Sequence, residues 1–352
     1  MRFLFYLGHP AHFHLFRVVI NRLKQEGHSV SVLIKKKDIL EELVRRQGWD
    51  YTNINPEGRA DNKLAIAWKL LKRDMEVLRH VRSFRPDVMA GTSAEITHIG
   101  RLTGIPSYVF NEDDADVVPL FAKLAYPFAT YVVAPDTCRV GKWEKKRIAY
   151  AGYHELAYLH PDHFRPDASL IRELDPEKPF FLLRFAQLTA HHDVGRGGIT
   201  REIAGKLVSL LEPHGRIFIT SERALEPEFE KYRISIDPLL IHHVLAFATM
   251  YIGDSQTMAA EAAVLGTPAI RFNDFVGEIG YLSDLEIRGL AYGIRTDKPE
   301  VLYQTVSQLL VDPATTSTVF RANREKMLKE KIDCAAFFYN LLVKAPLHGN
   351  SE

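Results

Sequence analysis

The feature that most constrains this chain is its punctuation. Short apolar runs alternate with longer helical stretches, twice over. Residues 3–7, 29–34, 51–54, 88–90, 107–110 and 131–134 read as strands. Between them, 12–25 carries Phe13, Phe16, Ile20 and Leu23 at helical spacing, and 38–47 and 64–84 read as helices. Such alternation builds a parallel sheet covered by helices on both faces. The rhythm breaks at HPDHFRP, residues 160–166, whose two prolines mark a linker. A second series follows, with strands at 180–184, 217–220 and 251–253 and helices at 200–211 and 238–247. Helical stretches at 299–311, 315–330 and 334–343 close the chain. The expected class is therefore α/β, with two parallel-sheet domains at 1–160 and 167–331 and the last helix, 333–345, completing the first. Ligands of open α/β sheets bind at the carboxyl ends of the strands, so two such domains predict a cleft with both edges facing it.

Composition removes several function classes. Lys and Arg exceed Asp and Glu by a formal charge of only +1, which argues against nucleic acid as a partner. Lys35-Lys36-Lys37 and the basic run 142–147 read as solvated surface. Two distant cysteines, Cys138 and Cys334, form neither a disulfide framework nor a metal spacing. No apolar run approaches the roughly 18 residues of a spanning helix. The expectation is a soluble, cytoplasmic protein with at most peripheral contact at the inner membrane face; no oligomeric state is read from the sequence. The helix at 64–84 supplies the reason for that peripheral contact, with Trp68, Leu71, Met75 and Leu78 set among Lys69, Lys72, Arg73, Arg79 and Arg82.

The stretch YIGDSQTMAAEAAVLGTPAIRF, residues 251–272, is the most informative chemically. A strand ends at Gly253, Asp254 or Ser255 caps a helix, and Gly266 and Pro268 stop it. Met258, Ala262 and Leu265 would face the sheet, with Thr257 and Glu261 on another face, so the carboxylate is not aimed into the core. The helix N-terminus is a ready phosphate site. One turn further, Glu261 suits the two hydroxyls of a ribose, and the surrounding alanines admit a flat ligand.

Three other constellations follow strands. GHPAHFHLF, residues 8–16, sets His9 and His12 after the first strand, where an imidazole suits proton transfer from a hydroxyl; His14, inside the helix, reads as structural. FNEDDAD, residues 110–116, crowds Glu112, Asp113, Asp114 and Asp116, and crowding raises carboxyl pKa values towards those of a general base. LRFAQLTAHHDVGRGG, residues 183–198, offers Arg184, His192 and Arg196 to a diphosphate and a loose glycine-rich loop at Gly195, Gly197 and Gly198. Ser221, in TSERA at 220–224, and His243 suit contacts to base or sugar. An alternative use of His12 and His14 with His191, His192 and Asp193 is a hydrolytic metal site; the two-domain rhythm does not bring those ligands together, and no metal is expected.

Asp254-Ser255-Gln256-Thr257, Glu261 and Gly266-Thr267-Pro268 resemble the Asp-Ser-Gly-Gly…Glu-Glu…Gly-x-Pro signature of the non-hydrolysing UDP-GlcNAc 2-epimerases. They also resemble the Ser-Gly…Glu…Gly-x-Pro segment of the lipid-linked GlcNAc transferase of peptidoglycan synthesis. Over nearly its whole length the chain is similar to the domain-of-unknown-function 354 family of the same superfamily. The resemblance implies a GT-B fold, two Rossmann-like domains, with Ser255 on the donor diphosphate, Glu261 on the ribose, and no obligatory metal. It also implies that Glu112 is a catalytic acid and that the loop from Gly8 faces the acceptor. Gln256-Thr257 stands where the epimerases have a glycine pair, and Gly8-His9-Pro10-Ala11-His12 lacks their early arginine.

The expected function is a glycosyltransferase of surface-polysaccharide or glycoconjugate synthesis, with a UDP-sugar donor and a sugar or lipid-linked acceptor. Its expected catalytic residues are Glu112, Asp113, His12 and His9; its expected binding residues are Ser255, Gln256, Thr257, Glu261, Arg184, His192, Arg196, Ser221, His243 and Gly8. The alternatives are a nucleotide-sugar 2-epimerase and a non-catalytic nucleotide-sugar binding protein.

Overall fold

The computed structural model describes residues 1–35, 39–54, 63–186 and 197–345. The chain divides into two compact units, Met1–His163 joined by the segment from Ile332, and Phe164–Lys331.

Unit 1 alternates β1 (Arg2–Leu7), α1 (Pro10–Gln25), β2 (Ser29–Ile34), α2 (Leu40–Arg46), β3 (Tyr51–Asn53), α3 (Lys63–Phe84), β4 (Val88–Gly91), α4 (Ala94–Thr103), β5 (Ser107–Phe110), α5 (Pro119–Ala125), β6 (Tyr131–Pro135) and β7 (Arg147–Tyr150). Its seven strands are all parallel, in the order β3-β2-β1-β4-β5-β6-β7. The chain moves outward one way from β1 and the other way from β4. The crevice of such a sheet therefore opens at the carboxyl ends of β1 and β4. Phe3, Leu4, Phe5, Tyr6 and Leu7 are all buried, as expected of a central strand covered on both faces. Phe13, Phe16, Val19, Ile20 and Leu23 form the buried stripe of α1, and Gly27 (φ +81°) takes the left-handed turn beyond its end.

Unit 2 runs β8 (Phe180–Phe185), α6 (Arg201–Leu211), β9 (Arg216–Ser221), α7 (Ile241–Phe247), β10 (Met250–Gly253), α8 (Gln256–Leu265), β11 (Ala269–Phe272), α9 (Gly280–Ile287), β12 (Ala291–Ile294), α10 (Pro299–Leu310) and α11 (Pro313–Glu330). Five parallel strands take the order β12-β11-β10-β8-β9, so the switch point lies between β8 and β10. The last helix, α12 (Cys334–Val343), packs on α1 in unit 1. Its Phe338 ring lies 4.9 Å from Phe110 and 5.1 Å from Tyr150, and Arg22 sits 3.6 Å over the Tyr339 ring.

Three elements depart from the sequence expectation. Strands β7 and β12 and helix α9 were not anticipated. Both strands lie at sheet edges, where one side meets solvent, so RIAY and AYGI lack the continuous apolar run of a central strand. The basic run 142–147 is also more than solvated surface. The Lys146 ammonium donates to the carbonyls of Tyr126, Pro127 and Ala129 at 3.1, 2.6 and 2.8 Å, closing the end of α5. Arg147 donates to Pro135 O and Asp136 O, both at 2.8 Å.

Candidate functional site

Two clusters form, one at the switch point of each sheet. In unit 2, β10 ends at Gly253, where a Cβ would lie 2.9 Å from Arg184 Cβ and collide with the Tyr251 hydroxyl. Ser255 is the N-cap of α8: its backbone is extended and its Oγ accepts the Met258 N–H at 3.4 Å. Gln256 and Thr257 are half-buried in the first turn. The first-turn N–H groups, which have no partners within the helix, lie beside the carboxyl ends of β8 and β10.

Glu261 overturns the expectation that its carboxylate avoids the core. It is only 4% exposed, and its Oε1 lies 2.9 Å from Nε2 of the equally buried His242. The reason is that α8 beyond its first turn is packed between α7, α9, α11 and β11. Ala259, Ala260, Ala262, Ala263 and Val264 are all buried, while Met258 and Leu265, expected to face the sheet, are half-buried. Burial of a carboxylate requires a partner, and His242 provides it.

The neighbouring His243, expected at the base or sugar, is engaged elsewhere. Its Nδ1 accepts the Asp167 N–H at 3.0 Å and its ring packs 4.8 Å from Phe164. The Arg184 guanidinium is paired with Glu222. Ser221 Oγ closes a local turn, donating to Arg223 O at 2.7 Å and accepting Arg223 N–H at 3.2 Å. His192 and Arg196 lie outside the described residues.

Two carboxylates after adjacent strands hold the exit of the glycine-rich segment. Asp254, following β10, accepts the N–H groups of Ala186 at 2.6 Å and Ile199 at 3.2 Å. Asp274, following β11, accepts the Gly197 N–H at 2.6 Å and the Thr296 hydroxyl. The Gly197 N–H, expected to serve a phosphate, is thus directed at a protein carboxylate. Gly198 is required because a Cβ there would lie 2.6 Å from Asp254 Oδ2. Asn273 links the two strand ends, donating to Asp254 O at 2.9 Å. Asn273, Asp274 and His242 were missed at the sequence level. Polar residues directly after the apolar run of β11 were the available signal for the first two.

Burial pushes the Asp254 carboxyl up to about 6, against the pull of the Ala186 and Ile199 N–H groups. The folded chain therefore holds this proton up to about pH 6, the unfolded chain only to about 3.8. Between those values the folded state binds more protons, and stability rises as pH falls. Relative to Asp254→Asn, the wild type should gain about 2 kcal/mol from pH 6.5 to pH 4. Urea unfolding of both proteins at several pH values measures this, and parallel curves would refute it.

In unit 1, the loop after β1 meets the end of β4. His12 Nδ1 accepts the Gly8 N–H at 3.0 Å and lies 2.5 Å from Thr92 Oγ1. His9 is the N-cap of α1, its Nδ1 accepting the Ala11 N–H at 3.2 Å. A backbone N–H can only donate, so both neutral imidazoles carry their proton on Nε2. This arrangement makes Nε2 of His9 and His12 a donor, suited to an oxygen of a ligand rather than to taking a proton. His14 is buried against Phe13 and Tyr158.

The four acids after β5 separate by environment. Asp114 is fully buried and accepts the Arg139 N–H at 2.9 Å with its guanidinium 3.2 Å away, which is a loop-holding role. Asp116 is exposed. Asp113 is half-buried, and its carbonyl accepts Asn111 Nδ2 at 2.6 Å. Glu112 Oε2 lies 3.3 Å from Nδ1 of His154. Burial pushes His154 down to about 3, so it is neutral near pH 7 and faces Glu112 without a charge of its own. His154 was also missed at the sequence level.

A family model described as a protein of unknown function (DUF354) matches residues 4–277. The chain belongs to the DUF354 family. No curated protein sequence matches it. Among solved structures, this DUF354 member resembles the UDP-GlcNAc 2-epimerase of Neisseria meningitidis bound to UDP-GlcNAc. The TM-score is 0.70 at 13% identity, over 97% of this chain and 99% of that one. It also resembles MurG of Acinetobacter baumannii, with TM-score 0.58 and 16% identity over 98% and 100% of the two chains. The spinosyn rhamnosyltransferase SpnG, complexed with spinosyn aglycone, gives TM-score 0.62 and 14% identity over 97% and 100%. These likenesses establish the GT-B fold.

Proposed function

We propose that this DUF354 protein is a nucleotide-sugar-dependent glycosyltransferase. The observation that carries the reading is the single helix α8, with Ser255 at its N-terminus and Glu261 fixed one turn further by His242. A donor diphosphate rests on the N-terminus of α8, and Glu261 accepts hydrogen bonds from the ribose hydroxyls. Gln256 and Thr257 line the same turn. Arg184, His192 and Arg196 are proposed to complete the phosphate environment, and Ser221 to border the base or sugar. Glu112, next to the neutral His154, takes the proton of the acceptor hydroxyl, with Asp113 beside it. His9 and His12 bind acceptor or sugar oxygens through Nε2–H, next to Gly8. No step requires a metal; positioned dipoles and charges stabilise the departing diphosphate.

The solvent face of α3 supports a membrane-borne acceptor. Trp68, Leu71 and Met75 are 68%, 49% and 41% exposed. They share that face with exposed Lys72, Arg79 and Arg82, and with no exposed carboxylate. Among the described residues, no helix is long and apolar enough to cross a membrane.

A second reading, nucleotide-sugar 2-epimerisation, is favoured by the TM-score of 0.70 to the epimerase against 0.62 and 0.58 to the two transferases. It is weakened by the first loop, where Gly8-His9-Pro10-Ala11-His12 carries no arginine. One experiment addresses both readings. Saturation-transfer NMR with UDP-, GDP-, ADP- and CMP-sugars, without acceptor, should show contact with one donor and no turnover. A new epimer in the tube would establish the second reading instead, and a silent panel would exclude both. With donor and acceptor in hand, Glu112→Gln should lower kcat by about 10²–10⁴ while leaving donor affinity intact.

A further inference from the structure

A third group of side chains lies in unit 1, at the two places where the chain passes between units. The first passage follows His163 and the second precedes Ile332. His160, Asp162 and Asp333 each bring one ligand atom there, and these atoms lie within 4.8 Å of one another. His160 Nδ1 is 3.4 Å from Asp162 Oδ2. His163 Nε2 lies 2.9 and 2.8 Å from the two oxygens of Asp333. Asp333 also caps α12, its Oδ1 accepting the Ala336 N–H at 3.0 Å.

We propose that His160, Asp162 and Asp333 form a divalent transition-metal site, with His163 orienting the Asp333 carboxylate. One imidazole nitrogen and two carboxylate oxygens suit Zn²⁺ and its neighbours Co²⁺ and Mn²⁺. The two carboxylates supply two negative charges, which a divalent ion neutralises. Ligand atoms on one tetrahedral ion sit about 3.3 Å apart, so the present spacing closes by side-chain rotation, which in His160 also releases the Asp162 N–H that Nδ1 accepts at 3.3 Å.

Asp162 is the group free to rotate, since its side chain is 71% exposed, and it also gives the ion a path from solvent. Asp333 is held in place by the His163 ring and the Ala336 N–H. A carboxylate has about four lone-pair sites, so these three contacts leave room for a metal. A hydrogen-bonded carboxylate is the usual outer-shell arrangement of a metal ligand. Three protein ligands leave a fourth position for water. The bound ion would join segment 160–163 to the start of α12, an attachment that raises the stability of unit 1. No sequence spacing announced the site, because His163 and Asp333 are 170 positions apart.

The test uses the full chain, free of any affinity tag and stripped with a chelator, titrated with Zn²⁺ by calorimetry and with Co²⁺ by visible absorption. The expected result is one equivalent bound, a d–d spectrum of tetrahedral intensity, and a higher Tm with Zn²⁺. His160→Gln and Asp162→Asn should each weaken binding at least tenfold. His163→Gln should weaken it less and leave the Co²⁺ geometry unchanged. Asp162 is exposed and caps nothing, so its variant should fold as the wild type does. Absence of saturable binding would overturn the proposal. So would one equivalent bound equally well by wild type, His160→Gln and Asp162→Asn.

Discussion

Glu286→Ala is expected to destabilise the protein by about 3–5 kcal/mol, the cost of leaving a buried charge without its partner. Arg271, on β11, is 1% exposed, and its Nη2 lies 2.8 Å from Glu286 Oε1 on α9. Its other contact, Nη1 to Asn273 Oδ1 at 3.3 Å, is neutral and long. Arginine does not deprotonate to escape, so removing Glu286 strands a full guanidinium charge in the core. The loss should appear in urea unfolding as a lower midpoint at unchanged m. A double replacement, Arg271→Met with Glu286→Leu, removes both charges and should recover most of the loss. A loss below 1 kcal/mol in the single variant would show that water reaches Arg271. The ion pair also sits beside the proposed donor site, since Asn273 bonds both Arg271 and the Asp254 carbonyl. Glu286→Ala should therefore weaken nucleotide-sugar binding as well.

Glu261→Ala is expected to lower nucleotide-sugar affinity by at least about a hundredfold. Two charge-assisted hydrogen bonds to ribose hydroxyls contribute about 1.5–3 kcal/mol each, and 1.4 kcal/mol is tenfold in affinity. The same change leaves His242 without its acceptor in the core, at about 1–3 kcal/mol of stability. Glu261→Gln separates the two effects. Its amide oxygen still accepts from His242 and restores stability, but it offers the ribose only a neutral acceptor and restores affinity in part. Affinity retained by a destabilised Glu261→Ala variant would make the His242–Glu261 pair purely structural. Loss of affinity in Glu261→Ala with Glu112→Gln unaffected would place donor binding in unit 2 and chemistry in unit 1.

The elements legible in the sequence are those whose cause is local. The apolar run of β1 and the stripe Phe13, Phe16, Ile20, Leu23 announce themselves because strand and helix periods are written in neighbouring residues. Ser255 and Gly266 bracket α8 for the same reason, one by capping and the other by its left-handed backbone at φ +80°. The edge strands β7 and β12 were not legible, because solvent on one side relaxes the demand for apolar residues.

The environment of each functional side chain was decided by tertiary structure. From the helix alone Glu261 faces away from the sheet. Only the packing of α7 against α8 buries it and selects His242 over His243 as its partner. The four acids 112–116 look alike in the sequence. Arg139 claims Asp114 and His154 meets Glu112 from 25 and 42 positions away, and those meetings give the acids different work. His12 meets the Thr92 hydroxyl, 80 positions away, only because β1 and β4 pair side by side. The sequence by itself determined the class of fold, the order of its elements and the helix that carries the candidate site, since periodicity, caps and turns act over a few residues. Burial, charge pairing and proton placement were left to the tertiary structure. They depend on residues that chain order keeps apart and only folding brings within hydrogen-bonding distance.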